Sequence, residues 1–279
     1  MKITSVTADW LHVDIPEDQQ HVTDFGRISS FDTTLVRVET DTGLIGHGEA
    51  RAALSSGGTN MALNTVIEKE LGPLIIGEDP RQISRLWDIM YNSSRAQLAL
   101  DRGHVFPSLG RRGITICGIS GIDIALWDLK GKVEGKPVSR LLGMPAHDRL
   151  PAYTTVYPLG GTVDELRHSL DRALRYPVRA LKLAIDSFWR DETDRAQELL
   201  QAARQHVGPD MELMLDAVSN FRDYEQIAPL MPAFHDCGIK WLEAPFPLDQ
   251  IDQFRALKDQ SIPVGAGDTG LTAPAEWLP

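Results

Sequence analysis

Three carboxylate residues, each at the end of a short apolar run, are the residues of this 279-residue chain best suited to chemistry. They are Asp216 in ELMLDA, Glu243 in KWLEAP and Asp268 in PVGAGD, and positions 216, 243 and 268 are 27 and 25 residues apart. A carboxylate that closes a buried strand loses solvation and is repelled by like charges unless a cation lies among them. An oxygen-only ligand set suits Mg²⁺ better than Zn²⁺. The pattern predicts one Mg²⁺ site, and the alternative is helix capping or loop charge at each strand end.

The elements that carry these residues alternate between strand and helix. Apolar runs predict strands near residues 153–157, 180–185, 212–217, 240–244 and 263–267, with helical spacing between them. Units of roughly 25 to 34 residues are close to one eighth of a (β/α)8 barrel. In such barrels the C-terminal strand ends gather at one face, so Lys182 is expected beside the three carboxylates. We therefore predict an α/β fold class, with an incomplete TIM barrel made of the first five βα units.

The first part of the chain has a different pattern. Residues 2–15 alternate like a strand, residues 16–31 are polar and predict a loop, and a hairpin is expected around Gly43. Residues 92–113, rich in Arg, Gly and Ser, also predict a loop. An apolar helix is expected to begin at Ile114 and to be buried on nearly all sides. These patterns predict an α+β domain over residues 1–113 and a barrel domain over residues 114–279.

Charge and composition exclude several classes of protein. A net charge of −11 argues against a nucleic-acid or anionic-membrane partner, because such partners require a basic face. The N-terminus has no continuous apolar region typical of a signal peptide, and no run is long enough to span a membrane. Cys117 and Cys237 show no metal or redox spacing, which predicts free buried thiols in a reducing cytoplasm.

A family resemblance follows from longer motifs. The most specific is SGIDIALWDLKGKVEGKPVSRLLG at residues 120–143, supported by DTGLIGHGEA, LMLDA, KWLEAPFP and IPVGAGD. With these motifs the chain resembles the enolase superfamily, in its mandelate racemase and muconate lactonizing enzyme branch. The resemblance implies a capping α+β domain and a barrel that binds Mg²⁺. It also implies that a base removes the α-proton of a carboxylate substrate while the metal stabilises the enediolate.

The resemblance assigns roles residue by residue. Asp216, Glu243 and Asp268 match the three metal ligands, although the family usually has Glu at the third position. Lys182 matches the first Lys of a Lys-x-Lys motif and is expected to polarise the substrate carboxylate and to support the base. The alternative for Lys182 is a lysine whose ammonium group reaches the surface.

Two further positions depart from the family pattern. Ala184 replaces the second Lys of Lys-x-Lys, which is the base on one face of the site. The family's Asp-x-Asn becomes Asp216-Ala217-Val218, with the nearest amide at Asn220. Branches without the second Lys resemble acid-sugar dehydratases whose base is a His on a later strand, and this sequence ends at Pro279 before such a strand.

The expected reaction is loss of water from a hydroxylated carboxylate such as an aldonate. The alternatives are a racemase, epimerase or cycloisomerase of the same superfamily, and a non-catalytic truncated paralogue. His21, Phe25 and Arg27 lie in a loop that covers the active site in this family, so they are candidates for substrate binding. The expected partners are a small carboxylate and further copies of the chain, because a five-stranded barrel exposes two strand edges.

Overall fold

The computed structural model describes the chain apart from residues 24–25, 53–56, 103–112, 144–146, 158 and 268–279. The described residues form two compact units, Met1–Ala146 and His147–Pro279. None of the described helices combines the length and apolar character needed to span a bilayer.

The first unit contains strands and helices in separate blocks. Its strands are β1 (Ile3–Asp14), β2 (His21–Thr23), β3 (Gly26–Ile28), β4 (Ser30–Thr40) and β5 (Ile45–Ala50). Its helices are α1 (Gly57–Thr65), α2 (Gly72–Ile75), α3 (Ile83–Asp101), α4 (Ile114–Glu134) and α5 (Val138–Leu141), and a π-helical segment (Val66–Leu71) joins α1 to α2.

The main sheet of this unit has three antiparallel strands in the order β1-β4-β5. The alternating burial along β4 reflects one face packed on the core and one face towards solvent. The predicted turn between β4 and β5 is confirmed, with Gly43 at φ +80°. The predicted loop over residues 16–31 is wrong in part, because β2 and β3 form a short antiparallel hairpin inside it.

Helix α4 packs directly on the backbone of β5. A Cβ atom at Gly48 would overlap the carbonyl oxygen of Gly121, and one at Gly46 would overlap that of Ala125. Only glycine allows this approach, which brings the buried residues of α4 onto the sheet. Helix α4 thus belongs to the compact unit Met1–Ala146, whereas the sequence predicts a domain boundary at residues 113/114.

Two expectations for the helices of this unit need correction. Helix α4 is not buried on nearly all sides, since Ile124 and Val133 are exposed. Helix α3 continues to Asp101, so residues 92–101 are helical rather than part of a loop. The predicted end of α4 is correct, because Gly135 caps it in the left-handed conformation.

The second unit alternates between strand and helix as predicted. Its elements are β6 (Thr154–Val156), α6 (Val163–Ala173), β7 (Ala180–Ala184), α7 (Thr193–Val207), β8 (Glu212–Asp216), α8 (Tyr224–Ile227), α9 (Met231–Asp236), β9 (Ile239–Glu243), α10 (Ile251–Leu257) and β10 (Val264–Gly265). The five strands form a parallel sheet in the order β10-β9-β8-β7-β6. The predicted α/β class with five parallel strands is confirmed.

The core of this unit lies on one face of the sheet. Leu181, Leu183 and Leu215 pack in one buried cluster with residues of α6, α7 and α9. Because side chains alternate along a strand, Lys182 and Asp216 face the opposite side.

The register of β8 against β9 shifts by one residue. Leu213 pairs with Ile239, whereas Leu215 pairs with Leu242. Two residues of β9 therefore lie opposite Met214, which is the arrangement of a β-bulge. Beyond the shift, Asp216 pairs with Glu243.

Local interactions fix the ends of the helices. Thr162 Oγ1 accepts a hydrogen bond from the N–H of Glu165, and Glu165 Oε2 accepts one from the N–H of Thr162, which forms a capping box at the start of α6. At the end of α7, Arg204 donates to the carbonyl oxygens of Gly208, Met211 and Cys237. These three bonds join the end of α7 to the segments that lead into β8 and β9.

Candidate metal centre

Lys182, Asp216 and Glu243 meet at the C-terminal edge of the parallel sheet. Their strands β7, β8 and β9 are neighbours, with Ala184 paired to Asp216 and Asp216 paired to Glu243. Parallel strands bring their carboxyl ends to the same edge, so residues far apart in sequence become adjacent. The structure thereby brings together three of the four predicted strand-end residues.

The ammonium group of Lys182 bridges the two carboxylates. Its Nζ lies 2.6 Å from Glu243 Oε2 and 3.0 Å from Asp216 Oδ2. Only 11% of the lysine side chain and 17% of each acidic side chain is exposed. Burial alone would lower the pKa of Lys182, but the bonds to Glu243 and Asp216 raise it above its usual value. Lys182 is therefore charged and inside the site rather than at the surface.

Two aromatic rings flank this ammonium group. Its Nζ lies 5.8 Å from the ring centre of Tyr153 and 6.0 Å from that of Trp241, which is within the range of cation–π attraction. A Cβ atom at Gly265 would lie 3.0 Å from the Trp241 ring, so glycine makes room for the indole. Neither aromatic residue was predicted as part of the site. Their positions in the sequence could have indicated them, since Tyr153 lies next to strand β6 and Trp241 lies within strand β9.

The backbone that follows each carboxylate adopts an unusual conformation. Val218 and Ser219, just after Asp216, have φ values of 50° and 59°, and Ala244, just after Glu243, has a φ of 40°. Non-glycine residues rarely adopt this left-handed region, and they cluster at functional sites.

Hydrogen bonds hold these turns in place. The N–H of Val218 donates to Asp216 Oδ1 at 3.1 Å. The N–H of Ala217 donates to Glu243 O, and the N–H of Ser219 donates to Ala244 O. The turns after β8 and β9 are therefore bonded to each other directly behind the two carboxylates.

Asn220, noted in the sequence as the nearest amide, bridges strand ends. Its Nδ2 donates to Ile185 O at 3.2 Å, and its backbone oxygen accepts a bond from Arg190 Nη1 at 3.4 Å. The side chain thus connects the loop after β8 to the end of β7.

Other predicted residues fall in different places. Asp268 and Phe25 lie outside the described residues, and only the backbone of His21 is described, in β2. Arg27 is exposed in β3. Their predicted roles stay predictions.

The chemistry of the donor set fits a hard divalent cation. Asp216 and Glu243 present carboxylate oxygens to one point, and that point already holds a positive charge. No group of three or more His, Cys, Asp or Glu residues that could hold a metal occurs within the described part of the chain, where Asp268 is not included. The described residues therefore include two of the three predicted ligands, and their role as ligands stays a prediction.

A second cluster of titratable residues lies in the first unit. The buried carboxylate of Asp32 accepts hydrogen bonds from Trp10 Nε1 at 2.7 Å and Ser30 Oγ at 2.6 Å, and its Oδ1 lies 2.8 Å from His12 Nδ1. Nε2 of His12 lies 3.0 Å from Asp14 Oδ1. The cluster joins the end of β1 to the start of β4, on either side of residues 15–29.

The pKa values in this cluster shift in opposite directions. The hydrogen bond to Asp32, followed by that to Asp14, raises the pKa of His12. Burial alone would raise the pKa of Asp32, but hydrogen bonds from Ser30, His12 and Trp10 lower it. Both shifts favour an ion pair between the imidazolium and the carboxylate.

The two cysteines are free thiols. Cys237 is buried and Cys117 is partly exposed. Burial raises the pKa of both thiols, so both are protonated and weakly nucleophilic near neutral pH.

Family models match most of the chain. Residues 6–143 match the N-terminal domain of mandelate racemase / muconate lactonizing enzyme, and residues 165–275 match the enolase C-terminal domain-like family. The two matches correspond closely to the two compact units.

Individual relatives agree with these matches. The chain is 32% identical to D-galactarolactone cycloisomerase of Agrobacterium fabrum, over 96% of this chain and 65% of that protein. It is also 32% identical to arabinonate dehydratase of Saccharolobus solfataricus, over 84% of this chain and 58% of that protein. A solved enolase-superfamily member from Polaromonas sp. JS666 has a TM-score of 0.78 and 25% identity, over 96% of this chain and 66% of that one. The chain thus spans less than two thirds of the length of each of these relatives.

Proposed function

We propose an activity from the premise that the chain belongs to the mandelate racemase and muconate lactonizing enzyme branch of the enolase superfamily. The proposed reaction is dehydration of an acid sugar such as an aldonate. In it a base removes the proton next to the carboxylate, and the neighbouring hydroxyl group leaves as water. The arabinonate dehydratase among the relatives supports this substrate class.

The observation that carries the proposal is the convergence of Asp216 and Glu243 on a single cation. We propose that both residues bind Mg²⁺, together with Asp268 as predicted from the sequence. When bound, Mg²⁺ would supply positive charge that acidifies the α-proton of a carboxylate and stabilises the resulting anion.

Lys182 has a separate part in this proposal. A mostly buried ammonium group interacts strongly with a nearby anion, because little water screens it. We propose that Lys182 orients the substrate carboxylate and stabilises negative charge that develops on it.

Ala184 bears on the choice among reactions of this branch. Ala184 lies in β7 and is paired with Asp216. Its methyl side chain can neither accept nor donate a proton. Racemisation requires two bases on opposite faces of the substrate, whereas elimination of water can proceed with a single acid/base group. The sequence of β7 therefore favours dehydration over racemisation.

Cycloisomerisation of a sugar lactone is the second candidate. The observation that favours it is the 32% identity to D-galactarolactone cycloisomerase over 96% of this chain. This reaction also removes a proton next to a carbonyl group, so the same site could serve it. The products differ, because dehydration releases water and isomerisation keeps every atom of the substrate.

The fold supports the family assignment rather than one particular reaction. We interpret the five-stranded parallel sheet as the first five units of a (β/α)8 barrel, with the catalytic groups at its C-terminal edge. We interpret the first unit as the counterpart of the family's capping domain. Association into a homo-oligomer stays a prediction, which sedimentation of the purified chain tests.

The experiment that tests the proposal has two parts. The first measures the thermal unfolding midpoint of the purified chain in EDTA and in Mg²⁺, where Mg²⁺ should raise the midpoint. The second incubates the chain with a panel of aldonates and sugar lactones and follows the products by NMR in D₂O. Loss of water from an aldonate to give a 2-keto-3-deoxy acid supports dehydration, and conversion of a lactone into an isomer without loss of water, apart from deuterium taken up from the solvent, supports cycloisomerisation. Exchange of the α-proton without either product would contradict both in favour of racemisation.

A further inference from the structure

Lys182 occupies the point at which a metal ion would meet Asp216 and Glu243. Its Nζ is within hydrogen-bond distance of one oxygen from each carboxylate, at 2.6 Å and 3.0 Å. A divalent cation that binds the same two oxygens must displace the ammonium group. A cation that binds the other two oxygens is still repelled by the positive charge beside it.

The two carboxylates need a counter-charge whether or not a metal is present. Asp216 and Glu243 are paired residues on adjacent strands, and each is 17% exposed, so their mutual repulsion is poorly screened by water. The bridging ammonium offsets that repulsion by attracting both carboxylates. The hydrogen bond from Val218 to the remaining oxygen of Asp216 also holds this carboxylate in place.

The surroundings of the ammonium group retain it in this position. The lysine side chain is 11% exposed, and the rings of Tyr153 and Trp241 lie near its charge. Aromatic faces attract a cation, and attraction increases where water is excluded. The position between the carboxylates is therefore a favourable one rather than a chance contact on a mobile side chain.

We infer that Lys182 is a positioning residue that acts as an internal counter-cation. It holds Asp216 and Glu243 together when no metal is bound, and it weakens the binding of a divalent cation by competing for the same carboxylates. The inference rests on the proposed Mg²⁺ site. The inference predicts that removing the charge of Lys182 changes two quantities in opposite directions. The stability of the metal-free chain should fall, and the affinity for a divalent cation should rise.

The test compares Lys182→Met with Lys182→Arg and Lys240→Met. Methionine keeps the length and apolar character of the side chain without the charge, and arginine keeps the charge. Lys240 is an exposed lysine on β9, so its replacement controls for a general change in net charge. Each variant is measured for its unfolding midpoint in EDTA and for its Mg²⁺ affinity by calorimetry.

Lys182→Met should unfold at a lower temperature in EDTA and bind Mg²⁺ roughly threefold to tenfold more tightly. Its midpoint should therefore rise more on addition of Mg²⁺ than that of the wild type. Lys182→Arg and Lys240→Met should resemble the wild type in affinity. A purely structural or purely substrate-binding lysine would not produce tighter metal binding.

The outcomes separate this inference from the proposed function. If the wild type binds Mg²⁺ and folded Lys182→Met binds it no more tightly, the inference is overturned and the metal site stands. If neither protein binds Mg²⁺, the metal site and the inference both fail.

A measurement on the wild type covers the case in which Lys182→Met does not fold. Lys182 should be protected from amine acetylation in EDTA and should become more reactive on addition of Mg²⁺, as read by mass spectrometry with Lys240 as reference. Equal labelling of Lys182 in both conditions would overturn displacement by the metal.

Discussion

Val218 donates its backbone N–H to Oδ1 of Asp216 at 3.1 Å while its own backbone is held in the left-handed conformation. For a β-branched residue this conformation is a clear outlier, since Cβ approaches the following carbonyl oxygen. The bond to Asp216 and the bonds between neighbouring turns keep the backbone there. Strain is thus located directly behind a candidate metal ligand.

Replacing Val218 by glycine should relieve that strain. The left-handed conformation costs a non-glycine residue roughly 1–2 kcal/mol, and glycine loses roughly 0.5–1 kcal/mol through the entropy of the unfolded chain. We expect Val218→Gly to exceed Val218→Ala in stability by about 1 kcal/mol in urea unfolding, because alanine keeps the strain. Val218→Ala serves as the matched control for loss of the two methyl groups. If Val218→Gly were instead less stable than Val218→Ala by the entropic cost of glycine, the turn would carry no strain.

The cluster around His12 should make stability depend on pH. Because the pKa of His12 is raised in the folded state, its stabilising effect is fully present below its unfolded value of 6.5 and is lost as the pH rises through the folded value. The lowered pKa of Asp32 acts in the other direction, so its contribution is lost as the pH falls below 3.8.

The measurement compares the wild type with His12→Gln in urea between pH 5 and pH 9. The stability difference should be largest near the acidic end of this range and should shrink towards the alkaline end. The pKa of His12, followed by NMR, should fall in Asp32→Asn. A stability difference that grows with pH would contradict the ion pair.

Removal of either carboxylate should abolish the response to Mg²⁺. Asp216→Asn and Glu243→Gln each replace a charged oxygen ligand by a neutral amide and leave the ammonium group of Lys182 with one charged partner. The metal-free variants should lose about 2 kcal/mol of stability, because the ion pairs are mostly buried. Glu212→Gln, at the opposite end of β8, is the control and should retain the Mg²⁺-induced rise in midpoint. A full response to Mg²⁺ in Asp216→Asn would remove Asp216 from the proposed ligand set.

The contact between β5 and α4 makes a prediction about the first unit. A methyl group at Gly48 would overlap a backbone oxygen of α4, and backbone atoms cannot move aside as a flexible side chain can. Gly48→Ala should therefore cost about 3 kcal/mol or more in chemical unfolding. Gly43→Asn is the control, because Gly43 has no atom near its Cβ position and asparagine tolerates its positive φ. A Gly48→Ala protein of normal stability would show that α4 does not pack this closely.

Periodicity predicts the elements that repeat a simple pattern. The five strands of the second unit are apolar runs between amphipathic helices, and the box of Thr162 and Glu165 marks the start of α6 in the sequence itself. The hairpin of β2 and β3 escapes this kind of prediction, since strands of three residues are too short to show alternation. The extension of α3 to Asp101 escapes it for another reason. Residues 95–100 are good helix formers, but the segment that follows them is rich in Gly and Arg. Averaged over residues 92–113, the composition therefore indicates a loop.

The sequence predicts which charged residues meet at this edge of the sheet, but it predicts neither the two aromatic rings beside them nor their arrangement. Strand ends identify Asp216, Glu243 and Lys182, because parallel strands gather their carboxyl ends at one edge. The position of the Lys182 ammonium between the carboxylates depends on side-chain conformation and on the exact pairing of β8 with β9. The left-handed turn at Val218 depends on hydrogen bonds between loops, and no local sequence signal at valine indicates it.

The extra residue in β9 makes this site sensitive to the length of the strand. With the pairing of Leu213 and Ile239 continued unchanged, Asp216 would lie opposite Leu242, and Glu243 would not be its partner. Gain of one codon between Lys240 and Leu242 would keep both acidic residues and the lysine in the gene, yet with the bulge unchanged it would place Leu242 opposite Asp216 and separate the two carboxylates. Loss of one codon there would only remove the bulge and leave Asp216 opposite Glu243. A substitution at Lys240 does not change the number of residues in β9. A variant with an in-frame insertion there can therefore retain every candidate ligand and still lack the site.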